Sequence, residues 1–357
     1  MSLNGYTGPG TDTLAGMNRA DFEGVRVLVT GATGFTGKAL TRRLAELGAI
    51  VHAVARPESD RSALKHLPIQ WSIGQIFDPD VVKQATEGVA YIFHMATTYR
   101  HAAASDELNH QVHVTSTELL AKAVTGRPEF RRFVHVSTIG VHGHIEHPPG
   151  NEDSPFGADD IYQRTKAEAE LWIRDYAKQS GLPLTVLRPC GLYGPEEERF
   201  LKFFKMATHR VMFALGKKGC GLHLVHVDDF VGMALRAAVH PAALNEVFIC
   251  GSPTSISLED FAALIAKELG HKLTFIRLPA LPVYALGYLC ELVFKPFGID
   301  PPLHRRRVSF YMKHRSFDTS KIRNRLGYVC AFPDEVGIPL TTRWYVDHGW
   351  LKTGRNR

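Results

Sequence analysis

The chain has 357 residues, of which 45% are hydrophobic and 22% are charged, and its formal net charge is +6. This composition is typical of a globular protein with one large domain or two smaller ones. The positive charges are scattered apart from the run at 304–307, which argues against a nucleic-acid-binding protein. The five cysteines are far apart and form no Cys-x-x-Cys pair, which predicts reduced thiols and a cytoplasmic protein.

Two segments bear on location. Residues 1–20 are polar and rich in Gly and Thr, so we expect a disordered leader there. The most apolar stretch, 279–297, contains Glu291, Lys295 and three prolines, and it is too short and interrupted to span a bilayer. Two interpretations of this stretch stay open: a lid over a substrate pocket, or a helix lying in a membrane interface, with the basic run 305–307 close by.

A glycine-rich turn joins the first predicted strand to the first predicted helix. The β-branched run 25–29 predicts a buried strand, and leucines at helical spacing predict a helix over 38–48. Between them lie Gly31, Gly34 and Gly37, the spacing of a dinucleotide-binding turn, in which a helix N-terminus offers N–H groups to phosphates. We therefore expect a pyrophosphate here. The predicted contacts are Gly31, Thr33, Gly34, Phe35, Thr36 and Gly37.

The end of the second predicted strand bears on the choice of cofactor. The run 49–55 ends at Arg56, where an acidic residue would hold the ribose 2′-hydroxyl of NAD. Arg56, with Arg61 nearby, suits a 2′-phosphate. Glu58 and Asp60 are close, and an arginine stacked on the adenine of NAD is the alternative. We predict NADP, with NAD as the second possibility.

Strands and helices alternate over the next hundred residues. Apolar runs predict strands at 69–73, 89–94, 133–137 (continuing to 141) and 184–188. Helical spacing predicts helices near 78–85, 105–124 and 160–179. This alternation predicts an α/β fold with a Rossmann doubly wound parallel sheet, whose ligands bind beyond the carboxyl ends of the strands.

The regular alternation of predicted strands and helices stops beyond residue 195. Residues 195–222 read as an irregular, aromatic and Met-rich segment. Further elements are predicted at 225–239, 246–250, 258–269, 279–297 and 334–350. We predict a Rossmann domain over 21–194 with a return at about 225–250. A smaller, discontinuous C-terminal substrate-binding domain would comprise 195–224 and 251–357.

Three side chains suit hydride-transfer chemistry. Tyr162 and Lys166 are four residues apart on one helical face. A phenol titrates near pH 10, and a nearby ammonium stabilises the phenolate and lowers that pKa. The Thr138 hydroxyl, after the strand at 133–137, can hold the substrate oxygen while Tyr162 moves the proton. We expect Lys166 to tune the phenol and bind the nicotinamide ribose.

The chain resembles the extended short-chain dehydrogenase/reductase family. The matching segments are 30–37, 94–96, 137–138, 162–166, 188–195 and 225–229. The C-terminal part is most similar to the 3β-hydroxysteroid dehydrogenase branch, at 301–308, 317–321, 326–328 and 344–351. The resemblance implies that Thr138, Tyr162 and Lys166 are catalytic and that Pro189 lies near the nicotinamide. It also implies a homodimer paired through the helices at 105–124 and 160–179.

Further candidate site residues follow from their positions along the chain. Ala96 and Thr97 follow the strand at 89–94, where small residues allow close approach to the cofactor ribose. Gly74, Gln75 and Ile76 stand where many relatives have a Gly-Asp-Leu motif that binds adenine, and Gln75 and Ile76 are the predicted contacts. The proposed substrate contacts are Tyr99, His142, Tyr193 and Phe203.

The sequence also departs from the family pattern. His113 stands where relatives have Asn, and either takes over its role or fills space. His142, His144 and His147 suggest solvated loop histidines rather than a metal site.

These features lead to one predicted function and two alternatives. Ile139 and Gly140 replace the acid pair of sugar dehydratases, which disfavours that activity. We predict an NADP(H)-dependent ketoreductase or alcohol dehydrogenase acting on a small hydrophobic substrate, either steroid-like or polyketide-like. The alternatives are a nucleotide-sugar epimerase, for which Lys202, Lys205, His209 and Arg210 would bind a diphosphate, and a non-catalytic NADP sensor.

Overall fold

The computed structural model describes residues 19–98, 105–215, 221–294 and 315–352. Most of the predicted leader, the predicted substrate residue Tyr99 and the basic run 305–307 lie outside these residues. The strands are β1 Arg26–Thr30, β2 Ile50–Ala55, β3 Gln70–Ile73, β4 Tyr91–His94, β5 Arg132–Val136, β6 Leu184–Pro189, β7 Gly191–Tyr193, β8 Val211–Leu215, β9 Gly221–Leu222, β10 Leu224–His226, β11 Glu246–Cys250, β12 Ile256–Ser257 and β13 Thr274–Leu278.

Helices cover both faces of the main sheet and build the C-terminal part. They are α1 Phe35–Glu46, α2 Pro79–Ala85, α3 Asp106–His110, α4 Ser116–Val124, α5 Ile161–Ser180, α6 Leu201–Ala207, α7 Val227–Val239, α8 Leu258–Glu268, α9 Ala280–Phe294, α10 Ser320–Leu326 and α11 Asp334–Asp347. Among the described helices, none combines the length and apolar character that crossing a bilayer requires.

Seven parallel strands form the central sheet in the order β11-β6-β5-β4-β1-β2-β3. The chain leaves β3 at one edge and re-enters at β4 on the other side of β1. This reversal opens a crevice at the carboxyl ends of β1 and β4, the place where doubly wound sheets bind ligands. One buried hydrophobic cluster includes Leu40 of α1 and Phe230 of α7, and a second includes Leu120 of α4 and Ile173 of α5. The predicted doubly wound parallel sheet is confirmed.

The C-terminal part has its own buried cluster, which includes Tyr193, Phe204, Phe261 and Tyr345. The prediction that 195–222 is irregular is wrong, because α6 and β8 lie within it. Phe204 of α6 is fully buried and packs edge-on against Phe261 of α8 at 5.4 Å. The domain boundaries at 194, 225 and 251 remain predictions.

Two local predictions fail near the carboxyl end of the sheet. The strand predicted to continue to residue 141 ends at Val136, and Ile139–His142 forms a 3₁₀ helix. The 3₁₀ helix has a local cause, because the Thr138 side chain accepts a hydrogen bond from the Gly140 amide at 3.0 Å and caps the first turn. The helix predicted over 105–124 contains a π-helical turn, Gln111–Thr115, between α3 and α4. Such turns are rare, and they often occur at functional sites.

Candidate active site

The glycine turn brings backbone close to backbone where the crevice opens. Gly31 has φ +70°, and a Cβ atom there would lie 3.0 Å from the Met95 carbonyl oxygen. A Cβ on Gly37 would lie only 2.0 Å from the Gly31 carbonyl oxygen, so no larger residue fits. Helix α1 begins just after Gly34, whose position provides no side-chain cap. The first amides of α1 therefore face the crevice as donors for an anionic group.

The predicted pyrophosphate contacts are of two kinds. Thr33, Gly34 and Thr36 are partly exposed at the turn. The Phe35 ring is buried, so Phe35 presents only backbone to a ligand.

Thr30, at the end of β1, is hydrogen-bonded to the residues that follow β4. The Thr30 hydroxyl oxygen accepts hydrogen bonds from the amides of Met95 at 3.0 Å and Ala96 at 3.1 Å. A Cβ on Gly31 would lie 3.1 Å from Ala96 Cα, so the glycine turn and Ala96 border the same crevice. Thr97 follows with an exposed side chain. The structure thus brings two sets of predicted cofactor residues together.

The exit of β2 carries the predicted determinants of cofactor choice. Arg56 Nε lies 3.2 Å from a carboxylate oxygen of Glu58, and both side chains are exposed. Arg61 lies over the Trp71 ring at 5.9 Å, in a shallow pocket lined by Ser59, Asp60, Arg61, Ser62, Lys65 and Trp71. Gln75 is half-buried, and Ile76 is buried in the second hydrophobic cluster. Ile76 therefore packs against protein, and Gln75 is the accessible member of this pair.

Helix α5 carries Tyr162 and Lys166 on the side that faces the carboxyl end of β5. Asp160 caps the helix by accepting a hydrogen bond from the Gln163 amide at 2.9 Å. Lys166 is buried, and its ammonium donates to the Val136 carbonyl at 3.1 Å and reaches the Ala96 carbonyl at 3.5 Å. Lys166 is thereby fixed between the exits of β4 and β5.

Thr138 lies beyond the carboxyl end of β5 and is partly exposed. Its oxygen accepts from the Gly140 amide, and that bond does not use its hydroxyl hydrogen. A Cβ on Gly140 would lie 3.3 Å from both Thr138 Oγ1 and Gln163 Cγ, which places the Thr138 turn against the first turn of α5. Tyr162 lies in that first turn and is half-buried.

Burial sets the charge state of the groups below the crevice. Desolvation lowers the pKa of Lys166 to about 8. Desolvation and then the Lys166 charge lower the pKa of His94 to about 3, and the same two causes lower that of His113 to about 2. Both imidazoles are therefore neutral near pH 7. Sequence reasoning did not assign His94 to the site; the available signal was a histidine inside a strand buried on both faces.

Two of the residues predicted as substrate contacts, His142 and Tyr193, are buried. His142 is 1% exposed; its ring accepts from Arg188 at 3.0 Å and donates to the Pro155 carbonyl at 3.2 Å. It is therefore a structural residue rather than a solvated loop histidine, whereas His144 and His147 are exposed. Tyr193 is fully buried and donates to Asp334 at 3.2 Å. The polar atoms of both side chains have partners within the protein.

The remaining predicted residues are placed as follows. Phe203 is half-buried beside Phe261, with ring centroids 5.0 Å apart, in the C-terminal cluster. Pro189 ends β6 and pairs in register with Cys250 of β11, so it lies at the carboxyl edge of the sheet. Among the described residues, no group of His, Cys, Asp or Glu has the geometry of a metal site.

The model of the NAD dependent epimerase/dehydratase family matches residues 27–251. Sterol demethylase protein B of Methylococcus capsulatus is 34% identical over 340 residues, covering 91% of this chain and 99% of that protein. A 3 beta-hydroxysteroid dehydrogenase/Delta 5-->4-isomerase of Mycobacterium tuberculosis is 28% identical over 339 residues, covering 90% of each.

The crystal structure of gox2253 superimposes with a TM-score of 0.76 at 26% identity, covering 91% of this chain and 99% of that one. The family match spans the glycine turn, Thr138, Tyr162 and Lys166 in one continuous segment. The chain therefore belongs to the NAD dependent epimerase/dehydratase family and is a short-chain dehydrogenase/reductase enzyme of the kind that acts on CH–OH groups.

Proposed function

We propose that this protein is an NADP(H)-dependent ketoreductase or alcohol dehydrogenase acting on a hydrophobic ketone or secondary alcohol. The observation that supports the proposal is that Lys166 is buried between the exits of β4 and β5, while Tyr162 lies in the first turn of the same helix and the Thr138 turn packs against that turn. The turn around Gly37 admits no side chain, which fits a cofactor pyrophosphate lying against backbone. The bound nicotinamide supplies or accepts the hydride.

The roles of the three side chains follow from their surroundings. Thr138 donates its hydroxyl hydrogen to the substrate carbonyl oxygen. Tyr162 gives its proton to that oxygen during reduction and takes it back during alcohol oxidation. Below the Lys166 pKa of about 8, the ammonium stabilises the phenolate form of Tyr162.

Support for a hydrophobic substrate comes from relatives and from the surface. The names of two relatives refer to sterols or steroids. The C-terminal part exposes large apolar side chains, including Phe213, Leu286 and Leu289. The direct test is NADPH oxidation across steroid, aryl and acyl ketones. UDP-sugars form a separate arm, in which the interconversion of sugar epimers is measured because epimerisation consumes no net NADPH. Turnover of apolar ketones supports the proposal, and reaction of only the sugar nucleotides overturns it.

A nucleotide-sugar epimerase is the second candidate. Lys202, Lys205, His209 and Arg210 are all exposed in and after α6, where a diphosphate would find several cations. The sugar-nucleotide arm of the same assay tests this role.

The choice of NADP over NAD is testable at Arg56. Arg56→Asp is expected to raise the NADPH dissociation constant at least tenfold more than that of NADH, because the carboxylate repels a 2′-phosphate. Fluorescence titration of both cofactors measures this difference. Lys83→Asp, on the surface of α2, is the matched charge reversal and is expected to leave the ratio unchanged. Equal weakening of both cofactors by Arg56→Asp would leave Arg56 only a stacking role.

We also infer a homodimer built from α4 and α5, with their counterparts in a second copy. Leu171 of α5 is 46% exposed, an apolar side chain on the helix face proposed to pair. Leu171→Glu is expected to shift the dimer to monomer at micromolar concentration, measured by light scattering. Leu244→Glu, at an equally exposed leucine outside these helices, is the control. A monomeric wild-type mass would refute the dimer.

We further propose peripheral binding to anionic lipid through α9 and the β8–β13 pair. Helix α9 exposes Leu281, Leu286, Leu289 and Leu292, and the register partners Phe213 and Ile276 are exposed beside each other. The exposed cations Lys205, Arg210 and Lys272 lie in the same part of the chain. This combination suits an interface of anionic head groups.

Vesicle co-sedimentation tests the lipid proposal with the full chain. Binding is expected to vesicles that contain phosphatidylserine, and Leu289→Glu is expected to weaken it. Val329→Glu, at another exposed apolar position outside these elements, is the control. Absence of binding at every lipid composition would leave α9 as a lid over the substrate pocket.

A further inference from the structure

His113 connects the crevice to the catalytic helix. It lies in the π-helical turn Gln111–Thr115, and its side chain is fully buried. Its Nε2 atom is 3.1 Å from Thr97 Oγ1, and its Nδ1 atom is 2.8 Å from Thr165 Oγ1. Thr97 lies at the exit of β4, and Thr165 directly precedes Lys166 on α5. One imidazole therefore spans the two elements that hold the active site.

The direction of these hydrogen bonds follows from Thr165. Its hydroxyl donates to the Ile161 carbonyl at 2.9 Å, within the helix. A hydroxyl has one hydrogen, and with that hydrogen on the Ile161 carbonyl Thr165 accepts from His113, which assigns the proton of the neutral ring to Nδ1. The Nε2 atom then carries only a lone pair, and the Thr97 hydroxyl donates to it. With that hydrogen committed, the Thr97 hydroxyl can act toward a ligand only as an acceptor.

His113 also contacts the proton-transferring residue. The rings of His113 and Tyr162 meet edge to face, with centroids 5.5 Å apart and an interplanar angle of 80°. The titratable groups around the imidazole are Tyr162 and Lys166 of α5 and His94 of β4. His94 is neutral, so a neutral His113 leaves Lys166 as the single cation among these groups. A second cation there would oppose the Lys166 charge.

We propose that His113 is a positioning residue, which as a neutral Nδ1–H imidazole holds Tyr162 in place and makes Thr97 a hydrogen-bond acceptor for a ligand hydroxyl. The inference rests on the proposed function, in which Tyr162 transfers the proton. The ligand hydroxyl belongs either to the cofactor ribose or to an alcohol substrate. These two sources share one chemistry and are distinguished by which ligand binds less tightly in the variants.

The first test reads the tautomer without any turnover. Long-range ¹⁵N NMR of imidazole-labelled protein is expected to show an Nδ1–H signal for His113 in addition to that of His142, and the His113 shifts are expected not to change between pH 5 and 8. The signal is assigned by its loss in His113→Gln. An Nε2–H form, or titration of this signal within that range, would overturn the proposal. This result stands whether or not the protein reduces ketones.

The second test reads function through two independent variants. His113→Phe keeps a ring against Tyr162 but removes both hydrogen bonds, and Thr165→Val removes the acceptor for Nδ1. Each is expected to lower kcat about 10- to 100-fold, because small misplacements of reacting groups are costly. Each is also expected to shift the pH at half-maximal kcat, whereas Thr165→Ser restores the wild-type profile. Thr125→Val loses the same kind of threonine-to-helix-carbonyl bond on α4 and is the control.

The ligand is identified from binding in the same variants. A raised NADPH dissociation constant assigns the Thr97 contact to the cofactor ribose, and a raised KM for the alcohol alone assigns it to the substrate. An unchanged pH profile in both His113→Phe and Thr165→Val would show a purely structural role and overturn the proposal. Should Tyr162→Phe retain full turnover, the proposed chemistry fails while the NMR result on His113 remains readable.

Discussion

Replacing Tyr162 with phenylalanine is expected to lower kcat by about 10²- to 10⁴-fold, the usual contribution of a positioned general acid or base. The ring and its edge-on contact with His113 are retained, so the fold and the crevice stay intact. NADPH binding is expected to stay within about threefold of wild type, since only the proton path is lost. Stopped-flow kinetics with an apolar ketone and fluorescence titration of NADPH measure the two quantities.

Helix α5 offers a matched control for this change. Tyr176 lies further along the same helix, stacked on Trp172 with ring centroids 4.9 Å apart. Tyr176→Phe removes the same hydroxyl type from the same helix and is expected to leave kcat unchanged. Normal turnover in Tyr162→Phe would remove Tyr162 from the mechanism, and an equal loss in both variants would indicate damage to α5 instead.

The free energy of unfolding is expected to fall steeply as the pH drops below 6.5. The native pKa values of His94 and His113, about 3 and about 2, lie far below the value near 6.5 of an unfolded histidine. Below pH 6.5 the unfolded chain therefore binds protons that the native chain excludes. Each of these histidines then removes about 1.4 kcal/mol of stability per pH unit, down to its native pKa.

Several carboxyl groups act in the opposite direction, because burial raises the pKa values of Asp334, Asp228, Asp229 and Glu152. Burial raises the pKa of Asp334 to about 6, although it accepts hydrogen bonds from Tyr193 and Ser252. Between pH 6 and about 4 the native state holds this proton while the unfolded state has released it, so stability rises as the pH falls. Burial also lowers the pKa of further histidines, among them His135, His142, His223 and His226, so the histidines are expected to outweigh the carboxyl groups.

Guanidinium chloride unfolding at pH 7, 5 and 4 measures the effect. His94→Gln is expected to flatten the pH dependence of the unfolding free energy by about one proton. Tyr162→Phe is the control, because a phenol does not titrate in acid. Parallel pH dependences for His94→Gln and wild type would show that His94 is not the group that resists protonation.

Local sequence patterns were sufficient for the frame of the fold and for much of the candidate site. The strand–glycine turn–helix pattern around Gly31 and Gly37 predicted the crevice, because close backbone approach needs glycine at fixed spacing. Alternating strands and helices predicted the doubly wound sheet. The four-residue spacing of Tyr162 and Lys166 follows from helical periodicity, which acts over a few residues along the chain.

Tertiary structure alone decided which polar side chains face ligand and which are held within the protein. His142 and Tyr193 lie near strand ends, as the predicted catalytic residue Thr138 does. They are nevertheless buried against Arg188 and Asp334, which are 46 and 141 residues away along the chain. His113 joins Thr165 across 52 residues, and no local pattern encodes that pairing. Periodicity reports which face of an element is buried. A buried polar group without a hydrogen-bond partner costs free energy, so nearly every such group has one. Which residue is that partner depends on which elements the fold brings together.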